Sequence, residues 1–131
     1  MLTNVVYAAV FVSDQDRALD FYTNILGLEK RSERPTADGT RFLTVGVKGQ
    51  DFSLVLWPGT PGRGKPSQGL VPAQYTIDTD DCRKAFETLK SRGVKFAPAE
   101  IIEQPWGLIA KFEDADGNML QLREVRAAPV V

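Results

Sequence analysis

Histidine is absent from this sequence, which removes imidazole as base, acid or metal ligand. Nucleophilic triads and histidine-ligated zinc or iron sites go with it. Few other groups are placed to do chemistry. Cys82, the single cysteine, stands where a helix is expected to begin, and the positive end of a helix dipole can activate a thiol. Asp80 and Asp81 oppose that activation, so the thiol receives no role. Glu113, Asp114 and Asp116 gather around Asp116-Gly117-Asn118, a strong hairpin-turn signal, and read as a solvated hairpin. No residue is assigned as catalytic or as a metal ligand, and no cofactor is implied.

The elements that must position any site come as two copies of one pattern. In residues 5–12, Val5, Val6, Tyr7, Val10, Phe11 and Val12 suit a pleated strand. Ser13 or Asp14 can then cap a helix carrying Ala18, Leu19, Tyr22, Ile25 and Leu26 at spacings of three and four, and Gly27 ends it. Residues 73–94 repeat the order: a short strand, Thr79, Asp80 and Asp81, a helix with Ala85, Phe86 and Leu89, and Gly93. A shift of 67 lays Val10 on Ile77, Asp14 on Asp81, Arg17 on Lys84 and Tyr22 on Leu89, whereas Gly27 meets Gly93 at 66. One residue fewer in the second helix accounts for the change.

After the first helix, strands are expected at 28–34, 41–47 and 51–57, with turns between them; Gly46 marks a bulge or a close approach. After the second, Lys95 and Phe96 are assigned to a strand, followed by strands at 106–112 and 119–123. The chain is thus α+β, with a first βαβββ module at 1–57, a Pro/Gly-rich linker at 58–72, a second module at 73–125 and a frayed tail at 126–131. A plain connection is the preferred reading of the linker over a ligand flap. Two such modules can wrap a curved, cupped mixed sheet around one central cavity.

Composition limits the partners. A net charge of −1 and the lack of a Lys/Arg run exclude an electrostatic case for nucleic acid. The apolar run in residues 5–12 is too short to span a membrane and lacks the flanks of a secretory signal. A lone cysteine suits a reducing cytosol, so a cytoplasmic location is expected.

With these elements placed, the chain resembles the vicinal oxygen chelate superfamily, which includes glyoxalase I, extradiol dioxygenases, fosfomycin resistance enzymes and bleomycin resistance proteins. The stretches FVSDQDRALDFYTNILGLEK and QPWGLIAKFEDADGNMLQL carry the resemblance, which covers nearly the whole length. In metal-dependent members four strand positions hold a divalent ion. Carried over, they fall on Tyr7, Val55, Gln74 and Gln121: a phenol, an isopropyl group and two neutral amides. A divalent metal wants imidazole, carboxylate or thiolate, so the resemblance implies a metal-free copy of the fold.

If Tyr7 faces the cavity, alternation puts Ala9 and Phe11 there, with Ser53, Val55 and Trp57, with Gln74, Thr76 and Asp78, and with Met119, Gln121 and Arg123. The ligand-binding set implied is Tyr7, Phe11, Ser53, Val55, Trp57, Gln74, Trp106 and Gln121. Trp57 and Trp106 serve either as ligand contacts or as caps on sheet edges. Asp78 and Arg123 either bridge the site or sit at its rim, and the rim is expected. The resemblance implies a homodimer that sequesters a small organic ligand, aromatic or antibiotic-like, as the bleomycin resistance proteins do. The alternative is a lyase, isomerase or dioxygenase of the same superfamily.

Overall fold

The computed structural model describes residues 1–59 and 72–126, and the chain divides into two compact units, Met1–Ala73 and Gln74–Val131. The first holds β1 (Tyr7–Val12), α1 (Gln15–Asp20), β2 (Glu29–Pro35), β3 (Arg41–Gly46) and β4 (Ser53–Pro58). The second holds β5 (Gln74–Asp78), α2 (Cys82–Ser91), β6 (Ile102–Gln104), β7 (Gly107–Glu113) and β8 (Met119–Val125). Each unit carries one four-stranded mixed sheet, ordered β1-β4-β3-β2 in the first and β5-β8-β7-β6 in the second. The internal repeat is therefore a repeat of topology, and the α+β expectation holds. Most of the expected linker and of the tail lies outside the described residues; Pro58 itself closes β4.

The two helix starts match atom for atom. The Asp14 carboxylate accepts the Arg17 N–H at 3.0 Å, and the Asp81 carboxylate accepts the Lys84 N–H at 3.0 Å, each satisfying a first-turn donor that has no partner inside the helix. The one-residue mismatch between the copies also has a structural cause. Past α1 the helix widens into a π turn, Phe21–Ile25, in which the Leu26 N–H reaches the Phe21 carbonyl at 2.9 Å. A π turn absorbs a single extra residue without breaking the helix. Gly27 and Gly93 then close the two helices at φ +85° and +93°, where a Cβ would be strained.

One face of each sheet packs on its helix. In the first unit Val10, Val12, Leu43, Val45, Leu54 and Leu56 are buried with Ala18 and Tyr22. Fully burying one such side chain contributes roughly 1.5–3 kcal/mol. In the second, Leu108, Ala110, Phe112, Leu120 and Leu122 are buried with Cys82, Phe86 and Leu89, and Phe96 packs between Phe86, tilted at 4.4 Å, and Phe112, edge-on at 5.3 Å.

Phe96 corrects one expectation. Lys95 and Phe96 form no strand: Phe96 makes an isolated bridge with Phe112, the Ala97 N–H reaches the Lys111 carbonyl at 2.9 Å, and the sixth strand is Ile102–Gln104. Pro98 has no N–H to continue a ladder, so pairing with β7 resumes only at Ile102.

Candidate functional site

The helix-free face of the first sheet carries most of the expected ligand-binding residues. β1 and β4 run parallel in the register Tyr7↔Ser53, Ala9↔Val55 and Phe11↔Trp57, so these six side chains share one face. Tyr7 is 49% exposed, Ser53 and Val55 are buried, and Phe11 and Trp57 are half-buried. β3 brings Thr44 beside Val55 and Gly46 beside Ser53, which puts Phe42 on this face as well. The Phe42 ring meets Tyr7 edge-on at 5.6 Å and 81°, and Trp57 at 6.4 Å and 70°. Three rings from three strands thus form one aromatic strip, in the edge-to-face geometry that ring quadrupoles favour.

Two arginines from β2 border the strip. The β2–β3 register slips between Lys30 and Ser32, and the extra residue of this bulge is Arg31. Its guanidinium donates to the Phe52 carbonyl at 3.1 Å, to Ser53 Oγ at 3.0 Å and to the Val47 carbonyl, and pairs with Glu29 at 3.2 Å. Gly46 makes room for it, since a Cβ there would lie 2.7 Å from Arg31 Cζ. The close approach expected at Gly46 is this one. The Arg34 guanidinium carbon lies over the Phe42 ring, 4.7 Å from its centroid. Arg31, Arg34, Phe42 and Thr44 are missing from the set expected from sequence, which drew on the faces of β1, β4, β5 and β8. The alternation of Phe42, Thr44 and Gly46 was the available signal.

The corresponding face of the second sheet is polar. β5 and β8 pair as Gln74↔Met119, Thr76↔Gln121 and Asp78↔Arg123, and Lys111 of β7 lies opposite Gln121. Gln74 is exposed and Gln121 half-buried, so water can satisfy both amides. Asp78 and Arg123 form a two-pronged pair at 2.7 and 3.0 Å, with both side chains partly exposed. The bond from Arg123 holds the Asp78 carboxyl below its ordinary range and raises Arg123 in turn. Trp106 stands in the turn between β6 and β7, its carbonyl accepting the Arg126 N–H at 2.8 Å, off the strands that carry Gln74 and Gln121. In the same unit a cleft of about 500 Å³ beside α2 is lined by Arg83, Glu87, Lys90 and Glu100 around Phe86. It has no aromatic strip of its own.

The sequence that builds these two four-stranded sheets is matched by a family profile. The profile described as Glyoxalase/Bleomycin resistance protein/Dioxygenase superfamily covers residues 4–122. The chain belongs to this superfamily. The uncharacterized protein YetH of Bacillus subtilis (strain 168) is 29% identical over 124 residues, covering 95% of this chain and all of that protein. TnmS3, an antibiotic binding protein from Streptomyces sp. CB03234, is 33% identical with a TM-score of 0.76, over 95% of this chain and 97% of that one. A superfamily member from Sphaerobacter thermophilus DSM 20745 is 34% identical with a TM-score of 0.77, over 94% and 98% of the two chains.

The superfamily's metal can be tested against the donors present. Tyr7 and Val55 of the first sheet and Gln74 and Gln121 of the second offer no anion and no imidazole. Among the described residues no three His, Cys, Asp or Glu side chains gather as a metal site requires. Asp78, the carboxylate that β5 places on the β5–β8 face, is engaged by Arg123. This donor set does not fit a divalent cation.

Proposed function

We propose that the chain is a metal-independent binding protein that sequesters a small aromatic, antibiotic-like ligand, and that it works in the cytoplasm as a homodimer. The observation that carries this reading is the strip Tyr7–Phe42–Trp57 on a helix-free sheet face. Rings on a rigid sheet supply buried area at little entropic cost, while Ser53, Thr44 and the arginines beside them offer a few fixed polar atoms. The antibiotic-binding neighbour TnmS3 supports the same class of ligand. The neutral donor set described above supports metal independence. For the homodimer, the support is apolar surface at the start of β1, an edge strand: Val5 and Val6, just before it, and Tyr7 are 74%, 43% and 49% exposed.

Native mass spectrometry of protein purified without chelator tests the subunit number and the metal independence in one spectrum. A metal-free dimer is expected, and one divalent ion per site would overturn the metal-independent part. Titration with planar aromatic antibiotics, followed by quenching of Trp57, tests the site. Trp57→Ala and Tyr7→Ala should each weaken binding by roughly 1–3 kcal/mol. Unchanged affinity in both variants would place the ligand elsewhere.

A further inference from the structure

We infer that the ligand of the aromatic strip is an acid, a planar ring bearing a carboxylate or an ionised phenol, and that Arg34 is the residue that recognises its charge. The inference rests on the reading of the strip as a binding platform and adds the chemical class of what it takes.

The charges on this face are unevenly matched. β2 places Glu29 beside Gly46 and Arg34 beside Phe42, and the bulge adds Arg31. Glu29, the one carboxylate of these strand positions on this face, is already paired with Arg31 at 3.2 Å. Elsewhere on β2 and β3, Lys30 pairs with Glu33, and Arg41 pairs with Glu33 and Asp16. Arg34 has no carboxylate against it among the described residues, and its one described contact is the face of Phe42 at 4.7 Å. With its Cζ over the ring, this guanidinium makes no hydrogen bond to another described residue, so its N–H groups are free to donate outward. Arg34 is therefore a planar fork held by a ring whose other neighbours are Tyr7 and Trp57. A ligand ring laid on Tyr7 and Trp57 brings an acidic substituent within reach of that fork. A cationic ligand would meet the opposite: two arginines, and a single carboxylate already in use.

Calorimetric titration with 2-naphthoate and its neutral isostere 2-naphthamide tests this. A charge-assisted bond to Arg34 makes the naphthoate bind about tenfold tighter than the amide. Arg34→Gln should cost the naphthoate about ten times more affinity than it costs the amide, and Arg34→Lys, which keeps charge but not the fork, should fall between. Equal binding of the two probes overturns the acid assignment and leaves the platform standing. So does a parallel loss of both in Arg34→Gln, which would make Arg34 only a support for Phe42. Failure of both probes to bind, or indifference of both to Trp57→Ala, overturns the assignment and the platform together.

Discussion

Phe42→Leu keeps an apolar side chain on β3 and removes the ring that joins the strip. With the ring go its edge-on packing against Tyr7 at 5.6 Å and Trp57 at 6.4 Å, and its face beneath the Arg34 guanidinium at 4.7 Å. Each ring pair contributes about 0.5–1.5 kcal/mol beyond area burial, and a cation over a ring at an exposed site about 0.5–1 kcal/mol. Tyr7 is 49% exposed and Arg34 is exposed, which places the total in the lower part of that range, at about 1.5–2.5 kcal/mol. With a urea dependence of about 1–3 kcal/mol per molar, the midpoint should fall by about 1 M. The two tryptophans lie in different units, so a Trp106→Phe background leaves Trp57 to report the first unit alone. A cycle with Tyr7→Leu should return a coupling of about 0.5–1.5 kcal/mol. A midpoint within about 0.2 M of the parent, together with additive single variants, would refute the claim that the rings act as one strip.

Three further outcomes follow from local geometry. A Cβ at Gly107 would sit 1.9 Å from the Glu124 carbonyl oxygen and 3.2 Å from Val125 Cα, so Gly107→Ala must push β7 off β8. A loss of about 1–3 kcal/mol or more is expected, and an unchanged melting temperature would contradict the Gly107↔Val125 register. The buried Glu124 carboxylate accepts the Cys82 N–H at 2.8 Å and the Arg126 guanidinium, and these bonds hold its pKa below the ordinary carboxylate value. Its contribution is thus complete above that ordinary value and lost as pH falls through the native one. The urea-midpoint gap between the parent and Glu124→Gln should stay constant from about pH 8 to about pH 6 and shrink toward about pH 3; a gap that persists in acid would count against it. Cys82 is fully buried, and burial, then the Glu124 charge, pushes its thiol up. Native protein should resist thiol reagents at neutral pH and react in urea, and full labelling of the native state would show that the helix start opens.

Strand, cap, helix and closing glycine were legible because each is written in a few adjacent residues. Asp14 and Asp81 act within three residues of themselves, and Gly27 and Gly93 need only their own φ. The repeat then carried this local reading to the topology, since two copies of one pattern build two copies of one sheet. Even the single-residue mismatch between Tyr22–Gly27 and Leu89–Gly93 was visible as a change of shift, although its form as a π turn was not. The lack of histidine and the neutral residues at Tyr7, Val55, Gln74 and Gln121 were likewise present in composition and order alone.

Register and side-chain direction across strands belong to the tertiary structure. Phe42 joins Tyr7 and Trp57 only because β4 pairs parallel with β1 and antiparallel with β3, residues 35 and 15 positions away along the chain. Gly46 announced a close approach, but that Arg31 makes it depends on one unpaired residue of β2, set by the pairing with β3. Asp78 and Arg123, 45 residues apart, meet because β5 and β8 align them, and Phe96 leaves the expected strand because it is taken into the core between Phe86 and Phe112. Short-range chemistry determined which elements form and which reactions lack their reagents. Long-range pairing decided which side chains share a face, because a one-residue change of register would send every one of them to the other side.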